Sequence, residues 1–133
     1  MATKTKTNAG TGAGNRRKTA GTAPAVAPLI AVTPQCLKQL EKNAHKASDL
    51  LGAMANTSRL MILCRLADGE RSVSDLQPLI GLSQSALSQH LAVLRRRHLV
   101  RTRREGQSIY YSLSSGEAAS IIQTLHEQFC RRR

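Results

Sequence analysis

From Leu37 the apolar positions run Leu37, Leu40, Ala44, Ala47, Leu51 and Met54, in alternating steps of three and four. That is a narrow helical seam with Lys38, Lys42, Lys46 and Asp49 on the opposite side. So thin a stripe suits one partner helix, in a second subunit or within the same chain. Asn56 or Thr57 can cap a second helix, in which Leu60, Leu63, Cys64 and Ala67 share one stripe before Asp68-Gly69-Glu70 ends it. This places Cys64 on the buried side. Ser72 or Ser74 can cap a third helix over Val73–Ile80. Pro78 removes a backbone hydrogen bond there, so the helix is expected to be short or bent.

Gly81-Leu82-Ser83 then predicts a tight turn, with Gly81 suited to a left-handed helix end and Ser83 capping a fourth helix that reaches about Arg97. Leu87, Leu91 and Leu94 form its apolar stripe. The other side holds Gln84, Ser85, Ser88, Gln89, Ala92 and Arg95, with His90 at the border, and no acid. Short donors and acceptors without carboxylates suit phosphates and base edges, although a plain solvated face would read the same way. Residues 99–113 predict a β-hairpin: Ile109, Tyr111 and Leu113 alternate with polar neighbours, and Glu105-Gly106 supplies the turn. Its first strand carries Arg101, Arg103 and Arg104, a basic ribbon able to reach phosphate or a minor groove. A last helix from about Gly116 lines up Ala118, Ile121, Ile122, Leu125 and Phe129 and ends at Cys130 and three arginines.

Charge sharpens the picture. The 133 residues hold 20 Lys and Arg against 8 Asp and Glu, a net charge of +12. So basic a small chain favours a polyanion, nucleic acid before anionic lipid. Five of the basic residues (Lys4, Lys6, Arg16, Arg17 and Lys18) lie in the first 30 residues, a stretch of Ala, Thr and Gly without acids. Too polar to bury a core, residues 1–32 are expected to be a disordered basic arm: a solvated tail, a DNA-touching arm or an organellar transit peptide. Residues 33–133 are expected to form the single folded domain. No run of about 18 apolar residues offers a membrane span. With only Tyr110, Tyr111 and Phe129 as aromatics and no Trp, stacking platforms for single strands are lacking. Three dispersed cysteines make no secreted disulfide framework, so a cytoplasmic setting is expected. No Ser/His/Asp set, phosphate-cradling glycine loop, paired carboxylates or Cys-x-x-Cys motif points to an enzyme, and nothing calls for a cofactor.

Helix, helix, helix, turn, helix, basic hairpin, helix is the order of a winged helix-turn-helix domain: mainly α, five helices plus a two-stranded wing. Residues 51–63, Leu82-Ser-Gln-Ser-Ala-Leu-Ser-Gln-His-Leu91 and residues 99–111 strongly resemble the ArsR-type bacterial repressors. The resemblance spans about residues 37–130. It implies a homodimer built on the first and last helices, bound to an inverted-repeat operator in double-stranded DNA. It also implies that Ser83, Gln84, Ser85, Ser88, Gln89 and His90 face the DNA, with Arg103, Arg104 and Gln107 on the wing.

Many members of that family respond to metal. Val73-Ser74-Asp75 stands where the arsenic- and cadmium-type site needs a Cys-x-Cys pair, and the last helix offers only His126 and Glu127 toward a zinc site. Convergence of Cys64, Cys130 and His126 keeps a metal-responsive repressor as an alternative, beside an architectural DNA-binding protein without a sensor. Cys64 and Cys130 also resemble the dithiol of the sulfide-responsive SqrR and BigR group, to which the redox-responsive activator HlyU is related. That likeness implies a sensor pair that reactive sulfur species or oxidants link, lowering operator affinity. Arg131, Arg132 and Arg133 favour a thiolate at Cys130 against the helix dipole, which makes Cys130 the first nucleophile and Cys64 the resolving thiol. Read without the resemblance, Cys64 is a small buried hydrophobe. Cys36 has no assigned role.

Overall fold

The computed structural model describes residues 27–131, so the basic stretch before Pro28 and the last two arginines lie outside the described residues. The order is α1 (Pro34–Met54), α2 (Thr57–Ala67), β1 (Arg71–Ser72), α3 (Val73–Ile80), α4 (Gln84–Arg96), β2 (Val100–Glu105), β3 (Ser108–Leu113) and α5 (Gly116–Phe129). Every helix start has a side-chain cap. Thr33, Asn56, Ser72, Ser83 and Ser115 each accept a hydrogen bond from the backbone N–H three residues on. At Ser72 the arrangement is reciprocal, because Asp75 also accepts from the Ser72 N–H.

Helix α3 is eight residues long, with Pro78 in its final turn, and Gly81 closes it at φ 78°. The next helix ends differently. His98 takes the left-handed conformation (φ 61°), its N–H bonds to the Arg95 carbonyl, and the Leu99 N–H reaches back to the Leu94 carbonyl. This is a Schellman closure with Leu94 and Leu99 as its buried apolar pair. It turns the chain sharply from α4 into the hairpin.

Leu63 and Leu66 of α2, Leu76 of α3, Leu87, Leu91 and Leu94 of α4, and Ala118 and Ile122 of α5 meet in one core. Each fully buried leucine there contributes about 1.5–3 kcal/mol. Helix α1 starts at Pro34, where the fixed proline φ suits a first turn behind the Thr33 cap. The expected two-stranded hairpin is present as β2 and β3. A third strand joins it in the order β1-β3-β2, because Arg71 and Ser72 pair with Tyr111 and Tyr110. Two residues offer no alternation to read. One expectation needs correction: the buried stripe of α2 is Ile62, Leu63 and Leu66. Cys64 sits half-buried at its margin and Ala67 is exposed.

The α1 seam stays uncovered over most of its length. Only the C-terminal end of the helix is buried, through Ala53 and Met54. Arg59 of α2 clamps that end by donating to the Ala53 carbonyl at 2.7 Å and the Gly52 carbonyl at 3.3 Å. Leu37, Leu40 and Leu51 remain 47%, 58% and 54% exposed, and Phe129 on α5 is 82% exposed.

Candidate nucleic-acid interface and cysteine pair

Leu87, Leu91 and Leu94 pin α4 to the core, which turns its opposite side outward. Gln84, Ser85, Ser88, Gln89, Ala92, Arg95 and Arg96 are exposed there, and His90 is half-buried. Ser83 is already committed in part: its hydroxyl accepts from the Ala86 N–H at 3.2 Å and lies 3.4 Å from the Ser85 hydroxyl. The exposed ridge therefore presents amides and hydroxyls along its first turns and guanidinium groups at its end, with no carboxylate. Packed against α3 across the Gly81 turn, α4 is the second helix of a helix-turn-helix.

The hairpin stands beside it. Strand register divides its side chains between two faces. Arg101 lies opposite Ser112 and Arg103 opposite Tyr110, so these four share one face, while Thr102, Arg104, Ile109 and Tyr111 share the other. On the first face the Arg101 Nε donates to the Ser112 hydroxyl at 3.3 Å. Arg103 is more heavily engaged. It grips both Glu70 carboxylate oxygens at 2.8–3.0 Å, reaches Glu105 at 2.7 Å, and lies 4.7 Å from the Tyr110 ring centre. The hydrogen bond from Arg103 holds the Glu70 carboxyl below its ordinary pKa. Arg104 and Gln107 are exposed, and among the described residues Arg104 forms no ion pair. Local sequence pattern does not show the Glu70–Arg103 pair, whose members lie 33 positions apart. Its signal was an acid two residues ahead of Ser72, which pairs with Tyr110 only because β1 exists.

All three cysteines are free thiols. Cys64 lies on α2 at the edge of the core, and Cys130 is exposed at the C-cap of α5, its N–H bonded to the His126 carbonyl. These two helices pack together. Burial raises the Cys64 thiol pKa, Cys130 raises it further, and Arg65 opposes both. Cys36 lies apart near the start of α1, exposed. Among the described residues no three His, Cys, Asp or Glu side chains converge on a metal-sized site. No described helix is long and apolar enough to cross a membrane.

Known proteins match both the order of elements and the sequence. Residues 56–102 fit the model for bacterial regulatory proteins of the arsR family. The transcriptional activator HlyU of Vibrio cholerae is 52% identical over 104 residues, covering 78% of this chain and 96% of HlyU. The chain belongs to the arsR family. Reduced HlyU from that organism superposes with a TM-score of 0.68 at 54% identity, over 71% of this chain and 99% of HlyU. The transcriptional repressor BigR of Xylella fastidiosa gives a TM-score of 0.67 at 38% identity, over 72% of this chain and 98% of BigR. This arsR-family chain is therefore a DNA-binding transcriptional regulator with a winged helix-turn-helix fold, not an enzyme.

Proposed function

We propose that this arsR-family regulator acts in the cytoplasm as a homodimeric repressor, and that linking Cys64 to Cys130 by reactive sulfur species or oxidants lowers its operator affinity. The observation that carries the DNA-reading half is the acid-free outer ridge of α4, held rigidly by three buried leucines. In a major groove Gln84, Ser85, Ser88, Gln89 and His90 would meet base edges and Ser83 a phosphate, while Arg104 and Gln107 on the wing follow the flanking backbone. Fluorescence anisotropy with the chain's own upstream DNA and with random duplex tests this. Ser88→Ala combined with Gln89→Ala should cost roughly 1–3 kcal/mol per lost base contact on the operator and almost nothing on random duplex. Arg104→Ala should weaken both alike and flatten the salt slope by about 0.9. Equal losses on both duplexes for the α4 variant would contradict the assignment of base contacts.

Two-fold pairing is supported by Leu37, Leu40 and Leu51 of α1 and Phe129 of α5, apolar groups one protomer leaves in water. Leu40→Glu together with Phe129→Glu should convert the dimer to monomer in sedimentation velocity and abolish operator binding. A variant that still sediments as a dimer would place the interface elsewhere.

The sensing half is supported by the packing of α2 on α5 and the electrostatic influence of Cys130 on Cys64. The relative HlyU has been solved in a form named as reduced, so redox state is a distinguished variable in that protein. A metal-responsive reading has less to rest on, with the donors of one protomer dispersed as described.

A further inference from the structure

We propose that Glu70 is a positioning residue for DNA binding: it holds Arg103 over Tyr110, so that the wing grips the duplex through Arg104 and Arg103 stays out of phosphate contact. The inference rests on the DNA-binding reading of the chain and goes beyond it.

The sheet register builds the device. Ser72 pairs with Tyr110 and Arg103 pairs with Tyr110 from the other side, so the central strand separates β1 from the arginine strand. Carried back by two residues, the alternation puts Glu70 on the same face as Ser72. From there its carboxylate reaches across β3 and takes the Arg103 guanidinium in a two-oxygen grip. Glu105, at the end of β2, takes a further N–H, and Tyr110 supplies the ring beneath. Planar guanidinium matched to a carboxylate fork is a well-oriented pairing, and phosphate would offer the same fork. Glu70 and DNA are thus rivals for one group. The site is exposed enough for the exchange, since Arg103 keeps half its side-chain surface in water. Arg104 points to the other face, where among the described residues no acid pairs with it. Because Glu70 sits on the turn leaving α2, the same grip fixes the wing to the helix-turn-helix body instead of letting it swing.

The salt dependence of binding counts phosphate contacts and is insensitive to a merely structural role. Log Kd would be measured against log salt on random duplex, for the full chain and for Glu70→Gln, Glu70→Asp and the double variant Glu70→Gln/Arg103→Gln. Releasing Arg103 should steepen the slope by about 0.9 and tighten binding about five- to tenfold near 0.1 M salt. Glu70→Asp should keep the wild-type slope. The double variant has the wild-type net charge and should return to the wild-type slope. Either of two results overturns the proposal: an unchanged slope in Glu70→Gln, or a slope about 0.9 shallower than wild type in the double variant, which would mean Arg103 already touches phosphate. If Glu70→Gln does not fold, Arg103→Gln alone, with Glu70 in place, still decides: it should keep the wild-type slope, and a slope about 0.9 shallower would overturn the proposal. Wild-type protein that binds no duplex would instead defeat the DNA-binding reading itself, leaving the pair unused.

Discussion

Treating the reduced chain with inorganic polysulfide is expected to lower operator affinity at least tenfold, and neither Cys64→Ser nor Cys130→Ser is expected to respond. The chemistry follows from exposure. Cys130 is open to solvent at the end of α5 and meets the reagent first. Its thiolate takes a sulfane sulfur, giving a persulfide and a polysulfide one sulfur shorter. The Cys64 thiolate then attacks the inner sulfur and expels hydrosulfide. Two thiols give up two electrons, the polysulfide accepts them, and the thiol protons leave with hydrosulfide and solvent. Retained sulfane sulfur would lengthen the bridge without changing the logic. Because burial raises the Cys64 pKa, the thiolate fraction at neutral pH is small, and closure should quicken as pH rises toward that pKa. A tenfold loss of affinity needs only about 1.4 kcal/mol of difference between linked and reduced forms. Tying the core helix α2 to α5 can supply that by shifting two reading heads relative to each other. Unchanged affinity in treated wild type would remove the sensor and leave the repressor.

The other large effect concerns the platform beneath the reading ridge. Leu87→Ala is expected to destabilise the fold by about 2–5 kcal/mol, from lost apolar transfer and the cavity left behind. Leu87 is fully buried, with 0% exposure, on the helix that carries the proposed base contacts. Against a typical total of about 5–15 kcal/mol, such a loss threatens folding outright. Urea denaturation at fixed protein concentration measures it, since the stability of the proposed dimer would depend on concentration. A loss below about 1 kcal/mol would mean that α4 is anchored by something other than its leucine stripe.

Helix α4 was legible because its leucines recur at one face and its polar side lacks acids, and both signals lie within one short window. Ser83 was legible as a cap for the same local reason, while Asn56 and Ser72 were each one of two candidates, beside Thr57 and Ser74. What sequence concealed was long-range. Strand β1 is two residues long and exists only because β3 has a free edge for it. The grip of Glu70 on Arg103 spans 33 positions and depends on that strand. The α2 stripe shows a subtler failure. Leu60, Leu63, Cys64 and Ala67 satisfy helical spacing, yet Ile62 and Leu66 are what the core takes in. Where a helix is apolar on more than one side, periodicity alone does not say which side faces inward. The uncovered leucines of α1 were visible as a seam, but periodicity does not name what covers them, and the second protomer is our proposal.

The most direct test of the account divides one partially oxidised sample between free and operator-bound fractions and maps the thiols of each by mass spectrometry. The 64–130 linkage is expected to concentrate in the free fraction, while protein held on the operator carries both thiols reduced. Linked protein distributed evenly between the two fractions would contradict it.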